Sequence, residues 1–214
     1  VPNTSGPALV EEAGKAGIQA LIVNASGYAD GGPEGRALEQ PLVAAATAHG
    51  IAVAGPNNMG YVNVHGRVAM WTAARLPEFR PGPVAIISQS GSIALALSQD
   101  ERALGIAYVI SAGNEAVVTA ADYLDAVVRD DAVRVVLVFL ETIRDPTRAG
   151  AVLGGVRGAG PFDAGAAARA IAALSAFGAA IHGQLAAVDV NPLIVFPQGS
   201  GAVGVDVLLE SPGA

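Results

Sequence analysis

Cysteine is absent from all 214 residues, so the chain can build neither a disulfide framework nor a thiolate nucleophile. That absence suits a cytoplasmic protein, and Val1-Pro2-Asn3 leads into a helix signal rather than a secretory pattern. Charge is thin as well, at 14% of residues, and what there is sums to −7. An acidic chain with so few cations lacks the concentrated basic face that nucleic acid requires. No uninterrupted apolar run reaches the roughly 18 residues of a membrane-spanning helix. Two glycine signatures are also missing, the dinucleotide fingerprint and the phosphate-binding P-loop. Without the first, and without an acidic residue placed for a ribose, a generic dehydrogenase domain is excluded. Aromatics make up only 5%, yet apolar residues reach 52%, so the core material is mostly Ala and Val. Such a composition excludes disorder and suits closely packed α/β layers.

The order of signals along the chain points the same way. Ser5 as an N-cap and Pro7 in the first turn predict a helix that Gly14 and Gly17 end early. Gln19–Asn24 reads as a short buried strand, Glu34–His49 as a helix stopped by Gly50, and Ile51–Ala54 as a second strand. Gly55–Gly60 is a loop by every turn signal. A Pro-punctuated linker, Leu76–Pro83, precedes a second block: strand Val84–Ser88, a helix to about Ala103, then strand Ala107–Ser111. Thr119 and Asp122 have capping-box spacing and open a helix to about Asp130. Val133–Leu140 is the most apolar strand. Strands alternating with helices imply a parallel sheet buried on both faces. After Arg144-Asp145-Pro146 the pattern changes. An Ala-rich helix follows Pro161-Phe162-Asp163, with Ile171, Leu174, Phe177 and Ile181 on one side. Leu185–Val195 and Ala202–Leu209 then read as an antiparallel pair.

In an open parallel sheet, ligands bind beyond the carboxyl ends of the strands. Topology alone therefore gathers Ser88–Gly91, Asn114 and Glu141 at one edge of the second block. Ser88-Gln89-Ser90-Gly91 joins a strand to a helix, where free N–H groups and hydroxyls favour an anion; a plain serine cap reads equally well. Asn57 and Asn58 are a binding loop or residues that tolerate turn angles. Asn191 and Asp206 are hard oxygen ligands suited to Mg²⁺, or two polar residues of a surface hairpin. His49 and His182 each precede a glycine at a helix end, where the dipole favours a cation. His65 falls in an irregular stretch without a partner nearby in sequence.

Several segments, in order, resemble the NDP-forming acyl-CoA synthetases (acetate–CoA ligase, ADP-forming type) and, more distantly, succinyl-CoA ligase. They are Asn24–Glu34 (NASGYADGGPE), Gly55–Asn63 (GPNNMGYVN), Pro83–Leu97 (PVAIISQSGSIALAL), Ser111–Leu124 (SAGNEAVVTAADYL) and Val138–Pro146 (VFLETIRDP). Gly155–Asp163 and Ala187–Asp206, with VDVNPLIV at its centre, resemble the end of the family's ATP-grasp domain. The resemblance implies an α/β fold in three parts. Residues 1–78 would be the C-terminal part of a Rossmann-like CoA-binding domain, 82–150 the first part of a flavodoxin-like ligase domain, and 151–214 a small α+β ATP-grasp piece. It implies the reaction acyl-CoA + ADP + phosphate ⇌ acid + CoA + ATP, through an acyl phosphate and a phosphohistidine. Ser26, Asn57 and Asn58 would contact CoA, and Ser88, Gln89, Ser90 and Gly91 would hold the phosphoryl group. Glu141 would orient the phosphohistidine, and Asn191 and Asp206 would hold Mg²⁺ with ATP or ADP. Partners would be a small carboxylic acid or its acyl-CoA, with no nucleic acid, no membrane and room for a homo-oligomer.

Three departures matter. The family usually has Cys where Asn58 stands. Its N-terminal glycine-rich CoA loop is missing here. So is the Ser-His-Thr-Gly segment that carries the nucleophile, with most of the ATP-grasp domain. The resemblance thus implies that these residues are portions of a longer protein. The other reading is a CoA- or acyl-CoA-sensing module without turnover.

Overall fold

Strands and helices alternate through the first part of a computed structural model, which describes residues 2–72, 78–98, 104–142, 144, 163–181, 187–190, 193–196, 198–204 and 207–210. Contacts divide the chain into two units, Val1–Pro146 and Thr147–Ala214.

The first unit opens with helix α1 (Gly6–Lys15), which has Pro7 in its first turn. Ser5 does not cap it; a short 3₁₀ turn precedes the helix, and the Ser5 side chain makes no capping bond. Nor does Gly14 end it. Gly14 lies inside α1, where a Cβ would collide with the His49 ring, so glycine is what allows α1 to approach the end of helix α2 (Gly32–His49). Gly50 stops α2 in the left-handed conformation, as its place after the last apolar turn predicts. Strands β1 (Ala20–Ile22) and β2 (Ala52–Ala54) pair in parallel. Their small core is Val10, Tyr28, Leu42, Ala46, Ile51 and Val53. Tyr28 is wholly buried, and its hydroxyl donates to the Asn3 carbonyl at 2.8 Å, so the ring is buried without a stranded polar atom.

The main sheet has five strands: β3 (Gly60–Asn63), β4 (Val68–Trp71), β5 (Pro81–Ser88), β6 (Ile106–Ser111) and β7 (Val135–Phe139), in the order β4-β3-β6-β5-β7. β6, β5 and β7 run parallel, as the second block's pattern predicts. Along β5 the side chains alternate between two cores. Val84 and Ile86 pack with Ala94 of helix α3 (Gly91–Ser98), while Ala85 and Ile87 pack with Ala120 and Val127 of helix α4 (Ala120–Val127). A strand covered on both faces reads as a continuous apolar run, which is why VAIIS was legible.

The sheet is not wholly parallel, however. β3 runs antiparallel to both β6 and β4, so a hairpin from residues 60–71 extends the sheet beyond the second block. His65 sits in its turn rather than in irregular chain. The linker expectation also gives way at its end: Pro81 starts β5, and the pairing with β6 is irregular between Pro81 and Ala85. Proline lacks the N–H that a regular ladder needs, and the first residue of a strand tolerates this.

In the second unit, helix α5 (Ala164–Ala180) starts where Asp163 predicts. The Asp163 carboxylate accepts the Ala166 N–H at 2.8 Å and the N–H groups of Gly199 and Gly201 at 3.1 Å each. Those bonds, the Ala166 bond above all, hold its carboxyl below the usual aspartate range. β8 (Ala187–Val190) pairs antiparallel with β11 (Val207–Glu210), and β9 (Leu193–Val195) with β10 (Ala202–Gly204). The antiparallel expectation is met, in two short ladders. Phe177, one of the apolar residues read on one side of α5, is 44% exposed. Asn191, Asp206 and His182 lie outside the described residues.

Candidate active site

Register places the site. Ser88, the last residue of β5, pairs with Ser111 on one side and Phe139 on the other, so three parallel strands end flush. The three loops that leave them, Gln89–Ser90, Ala112–Thr119 and Leu140–Thr142, share one rim. A cleft of about 620 Å³ opens there. It is lined by Gln89–Ser92, Gly113, Asn114, Glu141, Thr142 and Arg144, together with Ala29, Asp30, Asn57–Met59 and Thr72 from the preceding chain.

Close backbone contact joins the first block to this rim. The N–H groups of Asn114, Ala116 and Val118 donate to the carbonyls of Pro56, Gly55 and Val53, at 2.8, 2.9 and 3.1 Å. Gly113 has φ +64°, and a Cβ there would run into the Pro56 and Asn57 carbonyls, so only glycine lets the two loops meet. Asn57 has φ +57° and its N–H donates to the Ala25 carbonyl at 3.0 Å, which is the turn geometry that asparagine tolerates. Asn57 and Asn58 therefore reach the same cleft as Ser90 and Glu141. Asn58 is 7% exposed; its side-chain oxygen accepts from Asn24 at 2.8 Å, while its own amide nitrogen is buried without a partner. Ser26, by contrast, is exposed and does not line the cleft.

The four residues of the Ser88–Gly91 turn separate into different jobs. Ser88 is fully buried, and its hydroxyl donates back to the Ser90 carbonyl at 2.7 Å, so it braces the turn from below. Gln89 has no spare donor: its N–H is bonded to the Phe139 carbonyl and both side-chain N–H groups are engaged within the rim. Ser90 and Gly91 do face the cleft. Ser90 Oγ lies 3.0 Å from Ser92 Oγ at the start of α3, where the first N–H groups of the helix lack intrahelical acceptors. Gly91 is tight for packing reasons, since a Cβ would press on the Met59 side chain at 3.1 Å.

Carboxylates border this donor end. Glu141 is exposed on the rim. Asp30 accepts the N–H groups of Gly27 and Tyr28 at 2.8 and 3.0 Å and the Asn114 amide at 2.8 Å. Partial burial pushes its pKa up, but the Gly27, Asn114 and Tyr28 bonds outweigh it and hold the carboxyl below the usual range. Arg144 donates to the Asn114 carbonyl at 2.9 Å and brings a cation to the rim. Asp30, Thr72, Ser92, Thr142 and Arg144 were not singled out from sequence. Ser92 and Thr142 adjoin residues that were, and a rim argument applied to whole loops would have reached both. Among the described residues, no group of three or more His, Asp or Glu is placed to hold a metal ion.

Residues 81–161 match the succinyl-CoA ligase like flavodoxin domain. Over 147 residues, 68% of this chain, the sequence is 32% identical to the acetate–CoA ligase (ADP-forming) I of Archaeoglobus fulgidus, of which that stretch is 21%. It is 33% identical over 156 residues to the alpha subunit of acetate–CoA ligase (ADP-forming) I from Pyrococcus furiosus, covering 69% of this chain and 32% of that one. Among solved structures, the dinucleotide-forming acetyl-coenzyme A synthetase 1 of Ca. Korarchaeum cryptofilum, in complex with phosphate and ADP, superposes with a TM-score of 0.62 at 32% identity, over 71% of this chain and 32% of that one. The chain thus spans a third or less of the length of these relatives.

Proposed function

We propose that this chain, which belongs to the NDP-forming acyl-CoA synthetases, is the CoA-binding and phosphoryl-handling part of an acid–CoA ligase. Its reaction is acyl-CoA + ADP + phosphate ⇌ acid + CoA + ATP. The observation that carries this reading is one cleft that joins the start of α3, Glu141 and the Asn57–Asn58 loop.

Each element has a role that its chemistry suits. Residues 1–78 form the Rossmann-like CoA-binding part, and Asn57 and Asn58 contact CoA at the edge of the cleft. The Ser90 and Ser92 hydroxyls, with the Gly91 and Ser92 N–H groups at the start of α3, hold a phosphoryl group against the positive end of the helix dipole. Phosphate oxygen attacks the thioester carbon there, the C–S bond breaks, and CoA leaves as thiolate. A histidine supplied by chain outside these residues then takes the phosphoryl group, releasing the acid as carboxylate. Glu141 accepts the other imidazole N–H, fixing the tautomer that attacks. The phosphohistidine finally transfers the group to ADP. Residues 151–214 resemble the end of an ATP-grasp domain, where Asn191 and Asp206 would hold Mg²⁺ beside the nucleotide; the ion would offset phosphate charge. No membrane-spanning helix occurs among the described residues, in keeping with a cytoplasmic enzyme and small diffusible substrates.

The test uses the full-length protein. Acid- and CoA-dependent ADP formation from ATP is expected, with label trapped on a histidine. Glu141→Gln should slow phosphoryl transfer by about 10²-fold or more while leaving CoA affinity within twofold. Wild-type turnover in that variant would remove Glu141 from the mechanism. CoA binding without any turnover would leave a sensing module instead.

A further inference from the structure

The most completely bonded side chain at the rim belongs to Gln89, which the reaction scheme above does not use. Gln89 is 9% exposed. Its Oε1 accepts the N–H of Glu141 at 2.6 Å and that of Thr142 at 2.9 Å. Its Nε2 donates to the Thr142 carbonyl and to Glu115 Oε1, both at 2.8 Å. Two donors and two acceptors are thereby all satisfied, which fixes the amide's orientation, because only the oxygen can take two N–H groups. The backbone N–H of Gln89 donates to the Phe139 carbonyl as well. One residue thus ties the loop after β5 to the loop after β6 and to the loop after β7.

Glu115, at the other end of this amide, is 3% exposed and held at φ +56°. A buried carboxylate in a strained backbone position persists only where its surroundings demand it. Here it supplies the acceptor that distinguishes the NH₂ end of Gln89 from the oxygen end. The consequence falls on Glu141, whose side chain is exposed and makes no structural bond of its own among those described, but whose backbone N–H carries the shortest of the Gln89 contacts.

We propose that Gln89 is a positioning residue: through the Glu141 and Thr142 backbone it sets where the Glu141 carboxylate stands relative to Ser90, and Glu115 keeps its amide the right way round. The role rests on the reading of Glu141 given above. Methionine in place of Gln89 fills the same space and makes none of the four bonds, so it separates packing from positioning.

The experiment compares wild type, Gln89→Met, Glu141→Gln and the double variant of the full-length protein. It measures kcat, the KM for CoA, thermal unfolding, and hydrogen exchange at the Glu141 and Thr142 amides. Gln89→Met is expected to lower kcat by about tenfold or more, since a displacement near 1 Å can cost still more. The KM for CoA should stay within twofold. The double variant should be no slower than Glu141→Gln alone, because Gln89 acts only through that residue. The two amides should exchange about tenfold faster while those of β5 are unchanged. Unchanged kcat and exchange in Gln89→Met, or losses that multiply in the double variant, would overturn the proposal. Wild-type turnover in Glu141→Gln would overturn it by a different route, through failure of the reading beneath it. In a protein without ligase turnover, the two amides decide: faster exchange supports the clamp and unchanged exchange removes it. Should Gln89→Met not fold, Gln89→Leu likewise makes none of the four bonds, and is read in the same way.

Discussion

A carboxylate buried as deeply as Glu115 is held against its preference for water, and this has a pH signature. Burial, the largest influence, pushes its pKa up. The Ala120 N–H, the Gln89 amide and the Arg144 charge pull the other way, and nearby Asp122 adds to the rise. The net shift is upward from the ordinary value of 4.5. A raised folded-state pKa means that folding favours the protonated group. Its contribution is fully present below the unfolded value and is lost as pH rises through the folded one. Ionised Glu115 is therefore a net cost at neutral pH, retained for what it does to Gln89. Glu115→Gln cannot ionise, so the difference in urea-unfolding free energy should move in the variant's favour between pH 4 and pH 7. A difference that stays flat, or moves the other way, contradicts the burial argument. None of this was legible beforehand. Glu115 carries no local signal in the sequence, since its burial is created by β6 and α4 meeting the Gln89 loop. Ser90 and Glu141 were legible because strand polarity alone puts them on one rim.

Elements differ in the same way. α4 was readable down to its first residue, because Thr119 and Asp122 carry a local signal: the Asp122 carboxylate accepts the Thr119 N–H and hydroxyl at 2.8 Å each. Thr119→Ala should cost about 1 kcal/mol in chemical unfolding, the usual loss for a removed cap. A cost near zero would mean that packing of Ala120 and Val127, not the cap, sets the start of α4. β5, β6 and β7 were readable because burial on both faces leaves an apolar run. The hairpin β3–β4 was missed for the opposite reason. Its burial follows the alternation of a strand in β3, but Val68, Ala69 and Met70 of β4 are exposed, and Asn63, His65 and Gly66 break the pattern between them. The period-2 run Tyr61-Val62-Asn63-Val64, followed by a Gly-containing turn, was the available signal. What it could not reveal is that β3 would pair with β6, Val62 with Val109 and Asn63 with Tyr108, far along the chain. Long-range pairing of this kind is set by the whole sheet, not by local sequence.

At the largest scale, the first unit holds together two layers that each have their own core, one built on α1, α2, β1 and β2 and the other on the five-stranded sheet. Asn114 is the polar side chain that stitches them. Its amide nitrogen donates to Asp30 at 2.8 Å and lies 3.4 Å from Glu39, and its oxygen takes the Asn57 amide at 3.4 Å. Removing it leaves Asp30 with backbone donors alone, so Asn114→Ala should cost about 1 kcal/mol at pH 7. The pH dependence gives the mechanism. Asp30 titrates below the ordinary 3.8 in the folded chain. Stability from its ionised form is present above that value and is lost as pH falls through the folded pKa. In Asn114→Ala the Asp30 pKa moves back toward 3.8, so less remains to be lost on acidification. The gap between wild type and variant should therefore narrow from pH 7 to pH 3 in urea unfolding monitored at Trp71. A gap that is constant across this range would show that Asn114 acts through packing or through Asn57, and the two layers would then be joined by the Val53–Pro56 backbone contacts without help from the Asp30 charge.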